Sequence, residues 1–258
     1  MNIKFYKYHG TGNDFIIIDD RNTFFDHTNF KLIASLCKRS TGIGADGLIL
    51  LRSHSKYDFE MLYFNSNGYE STLCGNGSRC IVALANKLGI IKFNTIFQAI
   101  DGAHKAKITN NVVSLQMNDV FSIEKNNNIC ILNTGSPHFV KLVDDIDNFD
   151  VLNKGRQLRN STEFADDGIN VNFVQIKSNV LHVRTYERGV EAETLSCGTG
   201  VVASAISVHT LSLIKNNAIN VKTIGGNLSV SFENNNQYYQ NIWLSGPATF
   251  VYSGSIKC

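Results

Sequence analysis

Residues 73–80 read LCGNGSRC and residues 196–200 read SCGTG, and each stretch runs on into apolar residues. Cys74 and Cys197 are 123 positions apart (197 minus 74), and the same offset, applied without gaps, aligns much of the remaining chain. Thr11-Gly12-Asn13 falls on Thr134-Gly135-Ser136, Tyr63 on Tyr186, Glu70 on Glu193, Gly75 on Gly198 and Gly77 on Gly200. Gly102 falls on Gly225 and Asn111 on Asn234. Small and polar turn residues recur by chance, which explains one match but not a series at one offset. The chain therefore reads as a duplication: two halves of similar fold about a pseudo-two-fold axis. The period is too long for a solenoid, whose repeats run to roughly 20–50 residues.

Each half has the same order of signals. A strand comes first, FIIIDD at 15–20 and HFVKLVDD at 138–145. A helix follows over 29–40, with Leu32, Ile33, Leu36 and Cys37 at helical spacing. Its counterpart near 150–160 is weaker and contains Gly155. Strands are expected at 48–51 and 57–64, and again at 171–176 and 180–187. Next comes the cysteine-glycine turn and a helix, capped in the first half by Gly89. The second helix, VVASAISVHTLSL, is small and apolar almost all round, so it belongs inside its half. Hairpins close each half, turning at Asn110-Asn111 and at the Asn-rich 234–236. The expected class is α/β (α+β). It has two pseudo-symmetric halves, each a curved strand-rich sheet or barrel around a central helix, with the active site in the cleft between them. Residues 1–120 form the N-terminal half, with 246–258 packing back onto it, and residues 121–245 form the C-terminal half.

Composition narrows the function. The chain has 258 residues, 43% hydrophobic and 18% charged, enough to bury roughly three quarters of its extended surface. A net charge of +2 gives no electrostatic footprint for nucleic acid. No stretch approaches the ~18 apolar residues of a membrane helix, and MNIKFYKYHGTGND lacks the apolar core of a signal peptide. The expected compartment is the cytoplasm, where Cys37, Cys74, Cys80, Cys130, Cys197 and Cys258 stay as thiols. There is no C-x-x-C, so no structural zinc site is expected.

A helix N-terminus offers unpaired N–H groups and the positive end of a dipole, so it suits a carboxylate. A cysteine there has its pKa lowered toward thiolate. If the axis brings both turns to one cleft, a carboxylate lies between two helix ends with a thiol on each side of the attached carbon. That geometry fits inversion of a stereocentre, with a base on one face and an acid on the other. The N–H groups then stabilise the developing carbanion through its carboxylate. A buried cysteine is ordinarily a small apolar filler, and Cys80, which falls on Ala203, reads as packing. Cys74 and Cys197 are set apart by their repeat pairing.

These residues resemble the diaminopimelate epimerase family nearly end to end. The resemblance rests on HGTGNDF (9–15), GIGADGL (42–48), FNSNGYESTLCGNGSRC (64–80), GSPHFV (135–140), GINVNFV (168–174), YERG (186–189), ETLSCGTG (193–200) and GPATFVYSG (246–254). It implies interconversion of LL- and meso-2,6-diaminopimelate, on the route to lysine and peptidoglycan, with no cofactor, no metal and a homodimer. It implies Cys74 and Cys197 as the acid/base pair, assisted by His138 and Glu187. It further implies that Gly75, Asn76, Gly198 and Thr199 hold the reacting carboxylate. Asn13, Asn65, Asn170, Glu187 and Arg188 hold the other polar groups, with Arg188 at the distal carboxylate. The chain departs from the family at Ser136, where many members have Asn, and at Gly47, near which some have Gln. The stretch between Arg188 and Cys197 is one residue longer than the familiar form.

Taken alone, His138 is as readily a structural histidine, the three asparagines are ordinary turn residues, and Glu187-Arg188 is a solvated pair. His9, His27, His54, His104, His182 and His209 show no ligand spacing. Three other functions compete. One is a proline or hydroxyproline epimerase of the same fold, against which Asn76 and the Glu-Arg pair argue. A thiol hydrolase using Cys74 and His138 leaves the second cysteine unexplained. A carboxylate- or phosphate-binding module leaves both thiols unexplained.

Overall fold

Parallel neighbouring strands cannot be joined by a tight turn; they need a crossover, ordinarily a helix. The architecture follows from four such crossovers. The structure is a computed structural model and describes residues 2–235 and 238–257. Asn236 of the expected turn and Cys258 lie outside the described residues. The chain divides into two compact units. One holds residues up to Leu115 together with those from Gly246 onward; the other is Gln116–Ser245.

The first unit runs β1 (Asn2–Gly10), β2 (Asn13–Asp19), α1 (Phe30–Cys37), β3 (Gly47–Arg52), β4 (Phe59–Asn65), α2 (Gly75–Lys87), β5 (Asn94–Ala99), β6 (Gly102–Thr109) and β7 (Val112–Gln116). α1 bridges the parallel pair β2–β3, and α2 bridges the parallel pair β4–β5. The other neighbours, β1–β2, β3–β4, β5–β6 and β6–β7, are antiparallel. The last strand, β17 (Thr249–Lys257), returns to pair antiparallel with β1. The β6–β7 hairpin turns at Asn110 and Asn111, both with positive φ (50° and 64°), as a two-residue turn of primed type requires.

The second unit runs β8 (Ile123–Asn126), β9 (Ile129–Asn133), β10 (Pro137–Leu142), α3 (Val151–Arg159), β11 (Asn170–Lys177), β12 (Val180–Glu187), β13 (Ala192–Thr194), α4 (Gly198–Thr210), β14 (Ala218–Thr223), β15 (Gly226–Asn234) and β16 (Tyr239–Pro247). The pairing order repeats that of the first unit. β10–β11 and β12–β14 are parallel, and β8–β9, β9–β10, β11–β12, β14–β15 and β15–β16 are antiparallel. The register of the first parallel pair also repeats: Phe15 faces Gly47, and His138 faces Asn170, each 123 positions later (138 minus 15, 170 minus 47). α2 and α4 are both 13 residues long and start 123 positions apart (198 minus 75).

Helices on both faces bury both faces of the central strands, which therefore read as apolar runs rather than alternating ones. Ile16, Ile18, Leu48 and Leu50 pack with Ile33, Leu36 and Cys37 of α1. Phe15, Ile49 and Met61 lie on the other side, against Gly77 of α2. In the second unit Phe139, Val171, Phe173 and Tyr186 form one cluster with Val151 of α3. Val140, Val174 and Val183 form another with α4, whose residues from Gly200 to Val208 are buried.

α3 is a full helix despite its glycine. Asp150 caps it by accepting from the Asn153 amide at 3.1 Å, and a side chain at Gly155 would collide with Tyr186. The long stretch after Arg188 is a hairpin. Gly189 and Glu191 take positive φ (86° and 58°), and β13 pairs antiparallel with β12. Among the described residues no helix is long and apolar enough to cross a membrane.

Candidate active site

In each unit the cysteine is the N-cap of the helix that bridges the second parallel pair. Cys74 has φ −102° and ψ 116°, Cys197 φ −110° and ψ 112°; both are extended and neither sulfur caps its own helix. The first intrahelical bonds are Ser78 N to Cys74 O at 2.8 Å and Val201 N to Cys197 O at 2.9 Å. The amides of 75–77 and 198–200 therefore have no acceptor within their helices. No acidic side chain stands in either first turn to offset the positive helix end. Glycines at 75, 77, 198 and 200 keep the backbone approachable.

Around Cys74 the contacts are amides. The β1–β2 hairpin turns on Thr11 (φ 50°) and Gly12 (φ 88°), which sets Asn13 at the head of β2. Cys74 Sγ donates to Asn13 Oδ1 at 3.6 Å, and Asn76 Nδ2 donates to the same oxygen at 3.2 Å. Asn13 Nδ2 donates to Asp46 Oδ2 at 2.8 Å. Cys74 is half-buried and Asn76 buried. Asn65 ends β4 and accepts from the Tyr63 hydroxyl at 3.0 Å. Gly47 cannot carry a side chain here: a Cβ would lie 2.6 Å from Phe64 O and from the Tyr63 ring.

Around Cys197 the contacts are different. Its sulfur lies 3.5 Å from Thr199 Oγ1, and Thr134 Oγ1 donates to Thr199 O at 2.9 Å. Asn170 Nδ2 donates to Ser136 Oγ at 2.8 Å and to Pro137 O at 3.1 Å, and Asn170 Oδ1 accepts from Arg188 N at 2.9 Å. The Arg188 guanidinium donates to Asp167 O at 2.8 Å and Ser136 Oγ at 3.4 Å, both neutral acceptors. Asn170, Ser136 and Arg188 thus form one cluster. Glu187 accepts from Thr194 Oγ1 at 2.9 Å. Burial raises its carboxyl above the usual range, against the pull of that hydroxyl.

His138 is fully buried. Its Nδ1 lies 3.1 Å from Asn172 Nδ2, which also donates to Phe139 O; Asn172 Oδ1 accepts from Thr185 Oγ1 at 2.9 Å. This network assigns His138 Nδ1 as an acceptor and puts the proton on Nε2. Nε2 has no hydrogen-bond partner among the described residues. Burial, and then the positive Arg188, push the imidazole down to about 3, so it is neutral.

The structure therefore gathers Asn13, Cys74 and Asn76 at one helix end, and Cys197 with Thr199 at the other. Arg79, Asp46, Asn172 and Thr185 were not singled out from sequence. The signal for Arg79 was present: an arginine inside a helix whose neighbours Cys80, Ile81 and Val82 are apolar. The remaining described thiols are packing. Burial pushes Cys37 up to about 12 and also raises Cys80 and Cys130. Such thiols are inert at neutral pH.

The model of the diaminopimelate epimerase family matches residues 5–120 and 130–251. A diaminopimelate epimerase of Flavobacterium psychrophilum is 51% identical over 98% of this chain and 100% of its own. Another, of Chlorobaculum tepidum, is 40% identical over 96% of this chain and 98% of its own. Two solved structures share the fold at 15% identity. One is a Bacillus anthracis phenazine biosynthesis protein of the PhzF family, with a TM-score of 0.77 over the full length of both chains. The other is a hydroxyproline epimerase of Agrobacterium vitis, with a TM-score of 0.68 over 99% of this chain and 92% of its own.

Proposed function

This chain belongs to the diaminopimelate epimerase family, and from that premise we propose that it interconverts LL- and meso-2,6-diaminopimelate with Cys74 and Cys197 as its two acid/base groups. It is an isomerase. The observation that carries the reading is the placing of each cysteine at the N-cap of a 13-residue helix, 123 positions apart, with no acid in the first turn.

The step balances without an external redox partner. One cysteine, as thiolate, takes the Cα proton; the other, as thiol, gives a proton to the opposite face; the two have then exchanged states. The Cα proton of an amino acid is very weakly acidic, so the carbanion needs help. The helix-end N–H groups of Gly75, Asn76, Gly198 and Thr199 provide it at the reacting carboxylate, each such donor being worth about 3 kcal/mol. The positive helix ends also favour thiolate over thiol.

Diaminopimelate has a second amino-acid end. Arg188 suits its carboxylate, because the acceptors it now holds are a carbonyl and a hydroxyl and not a carboxylate. Glu187 suits an ammonium, and the reading gives Glu187 and the buried His138, with its proton on Nε2, the task of assisting proton movement at the cysteines. Asn13, Asn65 and Asn170 complete the polar contacts. Ser136 bridges Asn170 and Arg188. The reading carries with it a cytoplasmic, cofactor-independent homodimer.

The test is purified protein under reducing conditions, without added cofactor, given LL-diaminopimelate and separately L-proline and hydroxyproline. Chiral separation should show the meso isomer and leave the two imino acids unchanged. Turnover of an imino acid instead would move the chain to the neighbouring epimerase class. Formation of an acyl-enzyme with activated esters, without epimerisation, would favour a hydrolase.

A further inference from the structure

Arg79 is fully buried, five residues past Cys74 on α2. Its guanidinium donates to Thr11 Oγ1 at 3.1 Å, Asn76 Oδ1 at 3.0 Å, Gly75 O at 3.4 Å and Pro247 O at 3.5 Å. All four acceptors are neutral, and none of the ion pairs among the described residues includes it. A buried charge held only by dipoles is costly, so its placement calls for a role.

The geometry points to Arg79 and Asp46 as positioning residues that lock, from opposite ends, the orientation of the amide pair Asn76–Asn13 against Cys74. The hydrogen bonds run in one direction. Arg79 Nη2 donates to Asn76 Oδ1 (3.0 Å), Asn76 Nδ2 to Asn13 Oδ1 (3.2 Å), and Asn13 Nδ2 to Asp46 Oδ2 (2.8 Å). An amide alone can flip and exchange donor for acceptor. A guanidinium can only donate and a carboxylate can only accept, so the two ends permit one polarity. That polarity turns Asn13 Oδ1 to Cys74 Sγ at 3.6 Å. Asp46 is itself fixed, accepting from Arg39 at 2.8 Å and from Asp14 N at 3.2 Å.

The lock belongs to one thiol. At the 123-residue offset, Arg79, Asn76, Asn13 and Asp46 fall on Val202, Thr199, Ser136 and Ile169, which cannot carry such a string. The reverse holds beneath the helices. Gly77 packs on Phe15, Ile49 and Met61, whereas a side chain at Gly200 would meet Asn172, partner of His138 and Thr185. A duplicated scaffold has thus given each cysteine its own polar support.

This inference rests on the reading of Cys74 as an acid/base group. Its consequence is that Asp46 and Arg79 pull the Cys74 titration in opposite directions. The charged and titratable groups on this side include Arg79 and Cys80 of α2, Tyr8 of β1 beside Cys80, His9 of β1 against the Gly12 amide, and Asp46 with Arg39, Asp14 and Lys7 behind Asn13. The experiment alkylates the full-length protein with iodoacetamide across pH and follows Cys74 and Cys197 separately by peptide mass spectrometry. Asp46→Asn removes the anion at the far end of the string while Arg79 still orients the two amides, so the Cys74 midpoint should fall by about 0.5 pH unit or more. Arg79→Met removes the buried cation, so it should rise by a similar amount, about 0.5 unit. The Cys197 midpoint should stay put in both. Midpoints that move together at both cysteines, or in the same direction in both variants, would overturn the lock. Asp46 is half-exposed, so Asp46→Asn keeps the test alive if Arg79→Met does not fold; an unmoved Cys74 midpoint there overturns the proposal alone. Cys74→Ala separates the layers: epimerase activity surviving in it would instead sink the role of Cys74 itself.

Discussion

The Arg188 guanidinium sits between a backbone carbonyl and the Ser136 hydroxyl, with Asn170 holding its backbone amide. Lysine at that position keeps the charge and loses the planar fork. Arg188→Lys should therefore cost about 1–3 kcal/mol in kcat/KM for diaminopimelate, the scale of a hydrogen bond to a charged group. Wild-type kinetics in that variant would remove Arg188 from the distal carboxylate. His138 makes a different statement, about stability. Its folded pKa, about 3, lies far below the ordinary 6.5 because burial disfavours the imidazolium. The unfolded chain then binds the proton that the folded chain refuses. The contribution of His138 to stability is whole above pH 6.5 and is lost as pH falls toward 3. Between pH 6.5 and 5 that loss is about 2 kcal/mol. Urea unfolding at pH 7 and pH 5 should show it, and His138→Gln should have a shallower dependence by about that amount. At this scale the sequence was partly readable. The cysteines stand out through the repeat. The roles proposed for His138, Glu187 and the asparagines came only with the family motifs, since each residue alone reads as a turn or core position. Arg79 and Asp46 were hidden because their meaning lies in a hydrogen-bond direction that spans three segments.

The elements were more legible than their undersides. Expectations of helices over 29–40 and after each cysteine correspond to α1, α2 and α4. The positive φ of Gly89 (74°) and its amide bond to Asn86 O at 3.0 Å give the helix stop read from the glycine. Gly155 weakened the reading of α3 because helix propensity penalises glycine; tertiary contact with Tyr186 overrides that. β1, β5, β8, β9, β13 and β14 escaped the reading: IEKN, ICILN and AET are short, and NIKFYKYHG, NTIFQA and AINVKT set polar residues among their apolar ones. The two cysteine-capped helices start alike in sequence, GNG and GTG, and differ in what they lie on. A Cβ at Gly77 would be 3.0 Å from Ile49 Cδ1, the mobile end of a side chain, and 3.4 Å from Met61 Cε. A Cβ at Gly200 would run into Asn172 Oδ1, which Thr185 holds and which belongs to the His138 network. Gly200→Ala should thus be destabilising by about 1–3 kcal/mol, and Gly77→Ala distinctly less, as read by denaturant midpoints of the two variants. Equal costs would mean that Asn172 can move and that the buried network is not rigid.

At the scale of the molecule the repeat accounts for strand order, crossover helices and the register of the first parallel pair in both units. One strand breaks the pattern of origin: β8 precedes β9 directly, whereas its counterpart β17 comes from the far end of the chain to pair with β1. On the proposed two-thiol mechanism, each cysteine serves one isomer as base and the other as acid. In deuterated water, the wild type started from one isomer should place solvent deuterium mainly in the product isomer, because the group that removes the proton is not the group that returns one. Cys74→Ala and Cys197→Ala should each lose epimerisation. Each variant keeps one thiol, so removal of a proton from one isomer survives without inversion. A substrate analogue with a β-leaving group exposes this, since elimination needs abstraction alone: the base takes the Cα proton, the electron pair forms the new double bond, and the leaving group departs with its own pair. The two variants should prefer opposite isomers of the analogue. Elimination from the same isomer in both, or near-normal epimerase activity in either, would show that one thiol serves both faces and that the duplication has no part in the chemistry.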